Sequence, residues 1–311
     1  MKRKIVVLLT CLCVSGLCAC GSADQVQKET NTQIADSEKT EDTDHAKTDQ
    51  AGETEEPTEE STEQGEINVI SFDPASPKEY RGKELQLSYT EGEESVKVQY
   101  GDVTYEIQDY VEWIATGYIM EMDDTGFYTI IQLCSSNDWV TSYVLKYDGS
   151  SFKEIGSQDG GVVDTSAISG NQINFSTRVN LFGTYSVTIP MKLENDQLAS
   201  VDEFIKFHNE PDPEIYDTLD SPEGKACYNE EGYKVLTLNQ TLQAKSDDGD
   251  IELEEGEQII PYGYNENEKK FYFTYQDKQY YFIYEEAGDG YTLTIDGVDQ
   301  DDMFVYLPYV G

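Results

Sequence analysis

The chain has 311 residues, with 62 Asp and Glu against 21 Lys and Arg, giving a formal charge of -41. A field of that sign excludes nucleic acid as a partner and excludes electrostatic docking on anionic lipid, because both require basic patches. It favours solubility, cationic partners or divalent cations.

The first 22 residues carry the most information. Lys2-Arg3-Lys4 is a short basic stretch, and an apolar run follows from Ile5 to Leu17. A helix needs ~20 residues to cross a hydrocarbon core, so this run is too short to span and reads as the apolar region of an export signal. It ends in Leu17-Cys18-Ala19-Cys20-Gly21-Ser22. That ending resembles the lipobox of bacterial lipoproteins, in which Leu and a small residue precede a lipidated cysteine. Of the four cysteines in this region only Cys20 has a small residue directly before it. The resemblance implies that residues 1–19 are a signal peptide and that Cys20 bears a diacylglycerol thioether as the mature N-terminus. The expected partner there is the lipid bilayer, reached through the acyl groups, with the body facing outside the cell. Without residues 1–20, 18 basic side chains remain against 62 acidic ones, a charge of -44.

Residues 21–66 hold no aromatic side chain, fifteen Asp or Glu, three Lys and eight Thr. So little apolar area cannot offset the entropy of ordering, so residues 20–66 read as the lipidated cysteine and a disordered acidic tether. His45 falls here and has no role assigned. Beyond the tether only Cys134 and Cys227 remain. An oxidising exterior permits one disulfide between them, whereas two separate small apolar residues is the plainer alternative, and spacing does not fix the Cα approach.

From Ile67 the composition turns to Tyr, Val, Ile and Phe, with Asp-Gly and Asn-Asp turns, as expected of strands. A hairpin is predicted from Val140–Tyr147 and Ser151–Ile155, turning at Asp148-Gly149. The same figure precedes it by about 47 residues, around Gly101-Asp102, and follows it by 46, around Glu194-Asn195-Asp196. Strands at 127–133 and 173–179 repeat the 46-residue offset. Such a period, filled with short antiparallel strands, resembles the blades of the integrin-like and VCBS-like propellers. Three repeats leave either an open stack of blades or one that recruits later strands. Two short helices compete with this pattern: one through Ile107, Tyr110, Val111 and Ile114, and one starting at Ser200, capped by Glu203 and carrying Phe204 and Phe207. His208 would end the second helix, where a cation complements the helix dipole.

Residues 209–231, acidic and proline-bearing, read as a linker between the repeat domain at 67–208 and a C-terminal module at 232–311. In that module a strand at 233–238, a polar loop at 245–250, the Glu254-Glu255-Gly256 turn and an aromatic hairpin follow one another. The hairpin pairs 270–275 with 279–284 around Asp277-Lys278. This order resembles a bacterial SH3-like barrel. The expected fold class is therefore all-β: propeller-like antiparallel repeats followed by a small SH3-like barrel.

Catalytic signatures are sparse. HExxH, GxSxG, CxxC and a strand-linked GxGxxG are all absent from the body, so no cofactor is expected. The loop Glu121-Met122-Asp123-Asp124-Thr125-Gly126 resembles the calcium loop of the same propeller families, with Glu121, Asp123 and Thr125 at ligand positions. A Thr hydroxyl replaces poorly a carboxylate that calcium wants, so a metal-free turn is the plainer reading. In the hairpin, rings point to both faces, where a sheet with one wet face would alternate with polar residues. Either both faces are covered or one is a binding platform, and Tyr272 and Tyr281 are its candidate anchors. The expected function is a non-catalytic surface module that binds glycan, cell wall or protein. The alternative is a surface hydrolase using paired carboxylates in a cleft, for which acids must converge.

Overall fold

The computed structural model describes residues 67–309, apart from 93, 136–138, 212–220 and 289–291, and all of these lie in one unit, Ser61–Gly311. The signal peptide, Cys20 and the acidic tether lie outside the described residues. The fold is all-β, and every strand pairing is antiparallel.

The first strand, β1 (Val69–Phe72), is followed by a meander of β2 (Lys78–Tyr80), β3 (Lys83–Tyr89), β4 (Val96–Tyr100) and β5 (Val103–Ile107). Along β4 the alternation is strict: Val96, Val98 and Tyr100 are buried, and Lys97 and Gln99 face solvent. This is the signature of a sheet with one wet face.

The second sheet contains β6 (Trp113–Ile114), β7 (Gly117–Glu121), β8 (Phe127–Cys134), β9 (Val140–Tyr147) and β10 (Phe152–Asp159), ordered β1-β7-β8-β9-β10 with β6 also on β8. It is buried on both faces. Ile119, Phe127 and Leu145 pack with Leu85, Val96 and Val98 of the first sheet, while Met120, Ile130 and Val144 pack on the opposite side. That two-sided burial explains the near-continuous apolar run of β8. The helix expected through Ile107 and Ile114 is not formed. The N–H groups of Glu112 and Ala115 bond instead to the carbonyls of Cys134 and Gln132, each at 2.9 Å, so sheet pairing satisfies the backbone.

Gln132 is the polar side chain that ties this layer to the next. It is 2% exposed; its Nε2 donates to the Thr116 carbonyl, and its Oε1 accepts the Val162 N–H at 2.6 Å. Gln132→Leu strands both groups away from water and is expected to cost ~2–3 kcal/mol. Urea unfolding checks this, and a loss under ~0.5 kcal/mol would contradict it.

The third sheet begins with β11 (Ile168–Ser169), β12 (Gln172–Asn180), β13 (Thr184–Glu194), β14 (Gln197–Ser200) and β15 (Phe204–His208). Its Ile173, Phe175, Met191 and Leu193 close the core against Met120 and Ile130. The three hairpins with the 46–47-residue offset thus fall in three successive stacked sheets. The second expected helix is also a correction: Phe204–His208 is a strand, with Ile205 and Phe207 buried alternately. Period-two burial wins over the capping pattern. His208 ends exposed, its Nε2 3.2 Å from Thr188 Oγ1.

After α1 (Pro222–Cys227) come β16 (Leu236–Thr237), β17 (Leu242–Ala244), β18 (Ile251–Leu253), β19 (Gln258–Asn265), β20 (Lys270–Tyr275), β21 (Lys278–Glu286), β22 (Leu293–Ile295), β23 (Val298–Asp299) and α2 (Gln300–Met303). The aromatic hairpin turns at Gln276-Asp277, both at positive φ, one residue earlier than expected. The third sheet runs β11-β12-β13-β15-β19-β20-β21-β22-β23, and β15 bonds to β13 on one edge and β19 on the other. Strands expected in two modules therefore share one sheet, and among the described residues no sheet closes on itself. Phe182, Tyr185, Phe207, Phe271, Phe282 and Phe304 fill the large core under it. Cys134 is buried on β8 and Cys227 in α1, with no disulfide between them.

Candidate functional site: an aromatic ladder on the outer sheet face

Tyr272 and Tyr281 are directly opposed across β20 and β21, with rings 5.6 Å apart and tilted by 52°. Both are half-buried. Their sequence neighbours Phe271, Phe273, Tyr280 and Phe282 point the other way into the core. One face of the hairpin is thus covered, and the other carries half-buried rings.

Two further strands extend that outer face. Phe204, on β15, meets Tyr272 edge-on at 5.3 Å and stacks on Tyr262 at 5.6 Å, with 26° between the planes. The result is a contiguous ladder, Tyr262–Phe204–Tyr272–Tyr281, across four strands. Two sequence features make it possible. The register slips between Pro261 and Gly263, a bulge that sets Tyr262 beside Phe204 on the outer face. Gly263 itself lies under Phe204: a Cβ there would stand 2.6 Å from the ring and 2.5 Å from the Ile205 carbonyl oxygen. Phe204 and Ile283, at 36% and 42% exposure, are the most open apolar groups of the patch.

Cations frame the ladder. Lys270 Nζ sits 4.6 Å from the Tyr281 ring centroid and is held by Glu268 at 2.9 Å, and Lys206 Nζ is 5.3 Å from the Tyr262 centroid. The hydrogen bond that Lys270 donates to Glu268 raises the lysine's pKa, so it keeps its charge, and burial raises that of the Tyr272 hydroxyl.

The candidate calcium loop is built differently from a ligand set. Asp123 Oδ1 accepts the Thr125 N–H at 2.7 Å, the Thr125 hydroxyl at 2.9 Å and the Gly126 N–H at 2.7 Å. Those bonds, the Thr125 and Gly126 amides first, lower the Asp123 pKa. Glu121 turns elsewhere, accepting from the Tyr80 hydroxyl and the Asn68 amide, each at 3.0 Å. Asp123 Oδ1 thus closes the turn, and both Glu121 oxygens accept from groups outside it. Asp148 does the same with Ser150 and Ser151, and the amides lower its pKa to about 2.

A paired-carboxylate hydrolase needs an acid whose pKa is raised by desolvation. Among the described residues every Asp and Glu keeps contact with solvent.

Sequence reasoning names Tyr272 and Tyr281 and misses Phe204 and Tyr262, the rings that the structure places beside them. The capping pattern at Ser200 predicts a helix through Phe204, whereas Phe204-Ile205-Lys206-Phe207-His208 read with a period of two places Phe204 outward. Comparison with protein-family models, with curated proteins and with solved structures gives no match.

Proposed function

We propose that this chain is a lipid-anchored surface protein whose β body holds an extracellular glycan, wall polymer or protein on its outer aromatic ladder without transforming it. The observation that carries the reading is the four-ring ladder itself. Rigid rings offer large contact area at low entropic cost, and the hydroxyls of the three tyrosines add hydrogen bonds. Lys206 and Lys270 favour a polymer with anionic substituents over a cationic one. Retention of the purified protein on cell-wall preparations, measured against a panel of soluble glycans and proteins, tests this reading. No retention on any of them would defeat it.

Anchoring rests on the leader. Two or more acyl chains make a stable membrane anchor, at ~0.8 kcal/mol per buried methylene. Cys20→Ala is expected to leave the leader uncleaved and to abolish labelling by an alkyne fatty acid. Label at the wild-type level in that variant would exclude lipidation at Cys20.

A further inference from the structure

On the opposite face of the same strands, a cleft of about 600 Å³ opens at the end of the C-terminal sheet. Tyr264, Tyr284 and Tyr309 line it together with Glu266 and Glu286. Tyr264 belongs to the core-side face, where it pairs in register with Phe271 and stacks on Phe207 at 5.8 Å. The site is therefore separate from the ladder.

Beside this cleft the protein already holds one ammonium group. Lys269 Nζ bonds to Glu266 Oε1, and to Glu286 Oε1 at 2.6 Å, while standing 5.6 Å from the Tyr284 ring centroid. The Tyr284 hydroxyl donates to Glu266 Oε2 at 3.0 Å, and the Tyr309 hydroxyl donates to Gln300 Oε1 at 3.3 Å. Burial, and after it the Glu266 charge, pushes the Tyr284 pKa far above the ordinary value, so that hydroxyl remains a neutral donor. Glu286 Oε2 has no donor among the described residues. Two carboxylates face one ammonium, so the cleft retains excess negative charge.

We propose that this cleft binds an alkylammonium group, which docks against Glu286 and the tyrosine rings alongside Lys269. An anion would be repelled there, and a neutral ligand would gain no charge-assisted bond from the solvent-exposed Glu286 carboxylate. An alkylammonium gains a charge-assisted hydrogen bond and aromatic faces together. The acidic chain also raises the local concentration of cations.

The test is calorimetric titration of the full chain with Nα-acetyl-lysine methylamide at constant ionic strength. The same compound acetylated at Nε, and therefore neutral, is the control. Saturable binding of the charged compound alone is expected. Glu286→Gln should weaken it about tenfold, equivalent to ~1.4 kcal/mol. Lys269→Met should tighten it severalfold, because the ligand no longer shares its carboxylates with a resident ammonium. Both positions are exposed enough that thermal unfolding should stay near wild type, with Lys269→Gln as the second variant if Met fails. Equal affinity in all proteins, which is what diffuse attraction by an acidic chain produces, would overturn the proposal. So would weaker binding by Lys269→Met, or no saturation at millimolar ligand.

Discussion

Phe271→Ala is expected to lower stability by ~3–5 kcal/mol, whereas Tyr272→Ala, one residue further along the same strand, should cost ~1 kcal/mol or less. Phe271 is wholly buried and meets Phe182 edge-on at 5.0 Å and Phe207 at 5.9 Å, so truncation opens a cavity in the largest core. Tyr272 is half-buried on the outer face, where its ring meets Phe204 and Tyr281. For a body of this size 1 kcal/mol moves the melting temperature by ~2–4 °C, so Phe271→Ala should melt roughly 10 °C early. Retention on wall preparations should respond in the opposite order. Tyr272→Ala or Tyr281→Ala should weaken it by ~1–3 kcal/mol with little change in melting. If both tyrosine variants unfold as early as Phe271→Ala, the ladder is structural and the proposed surface is lost.

Gly263→Ala is the second large effect. Its new Cβ would sit 2.5 Å from the Ile205 carbonyl oxygen and 2.6–2.8 Å from the Phe204 ring. The nearest obstacle is backbone, which moves only if the β15–β19 pairing opens. A cost of ~3 kcal/mol is therefore expected, at the upper end for overpacking by one methyl group. Phe204 would swing off Tyr262 and Tyr272, so binding and stability should fall together. Gly288, with open space around it, is the matched control, and Gly288→Ala should be close to neutral. Calorimetric melting of the two variants checks this, and equal melting would contradict the close approach at Gly263.

The strand content and the hairpin repeat were legible because alternation and turn chemistry are local. Val96, Val98 and Tyr100 announce a one-sided strand, and Asn195-Asp196 announces a tight turn, which the structure closes with both residues at positive φ. The helix expected from Ser200 failed because capping is a weak local preference, whereas Ile205 and Phe207 bury between two partner strands. One of those partners, β19, comes from a distant part of the chain, so no local pattern names it. The aromatic site was half legible for the same reason. Tyr272 and Tyr281 lie in one hairpin, whereas Phe204 and Tyr262 join them only through the long-range pairing of β15 with β19.

That pairing also bears on the order in which the protein can be made. Phe204 waits for Asn265, 61 residues later in the chain. At ~5–20 residues per second, ribosomal synthesis takes roughly 3–12 s to deliver the missing strand. During that interval β15 would present a bare edge to any other extended chain, and unpaired edges are templates for aggregation. A helper that shields nascent or newly exported chains would therefore act most usefully between the emergence of His208 and that of Asn265. A product truncated anywhere in this interval should be the one that aggregates.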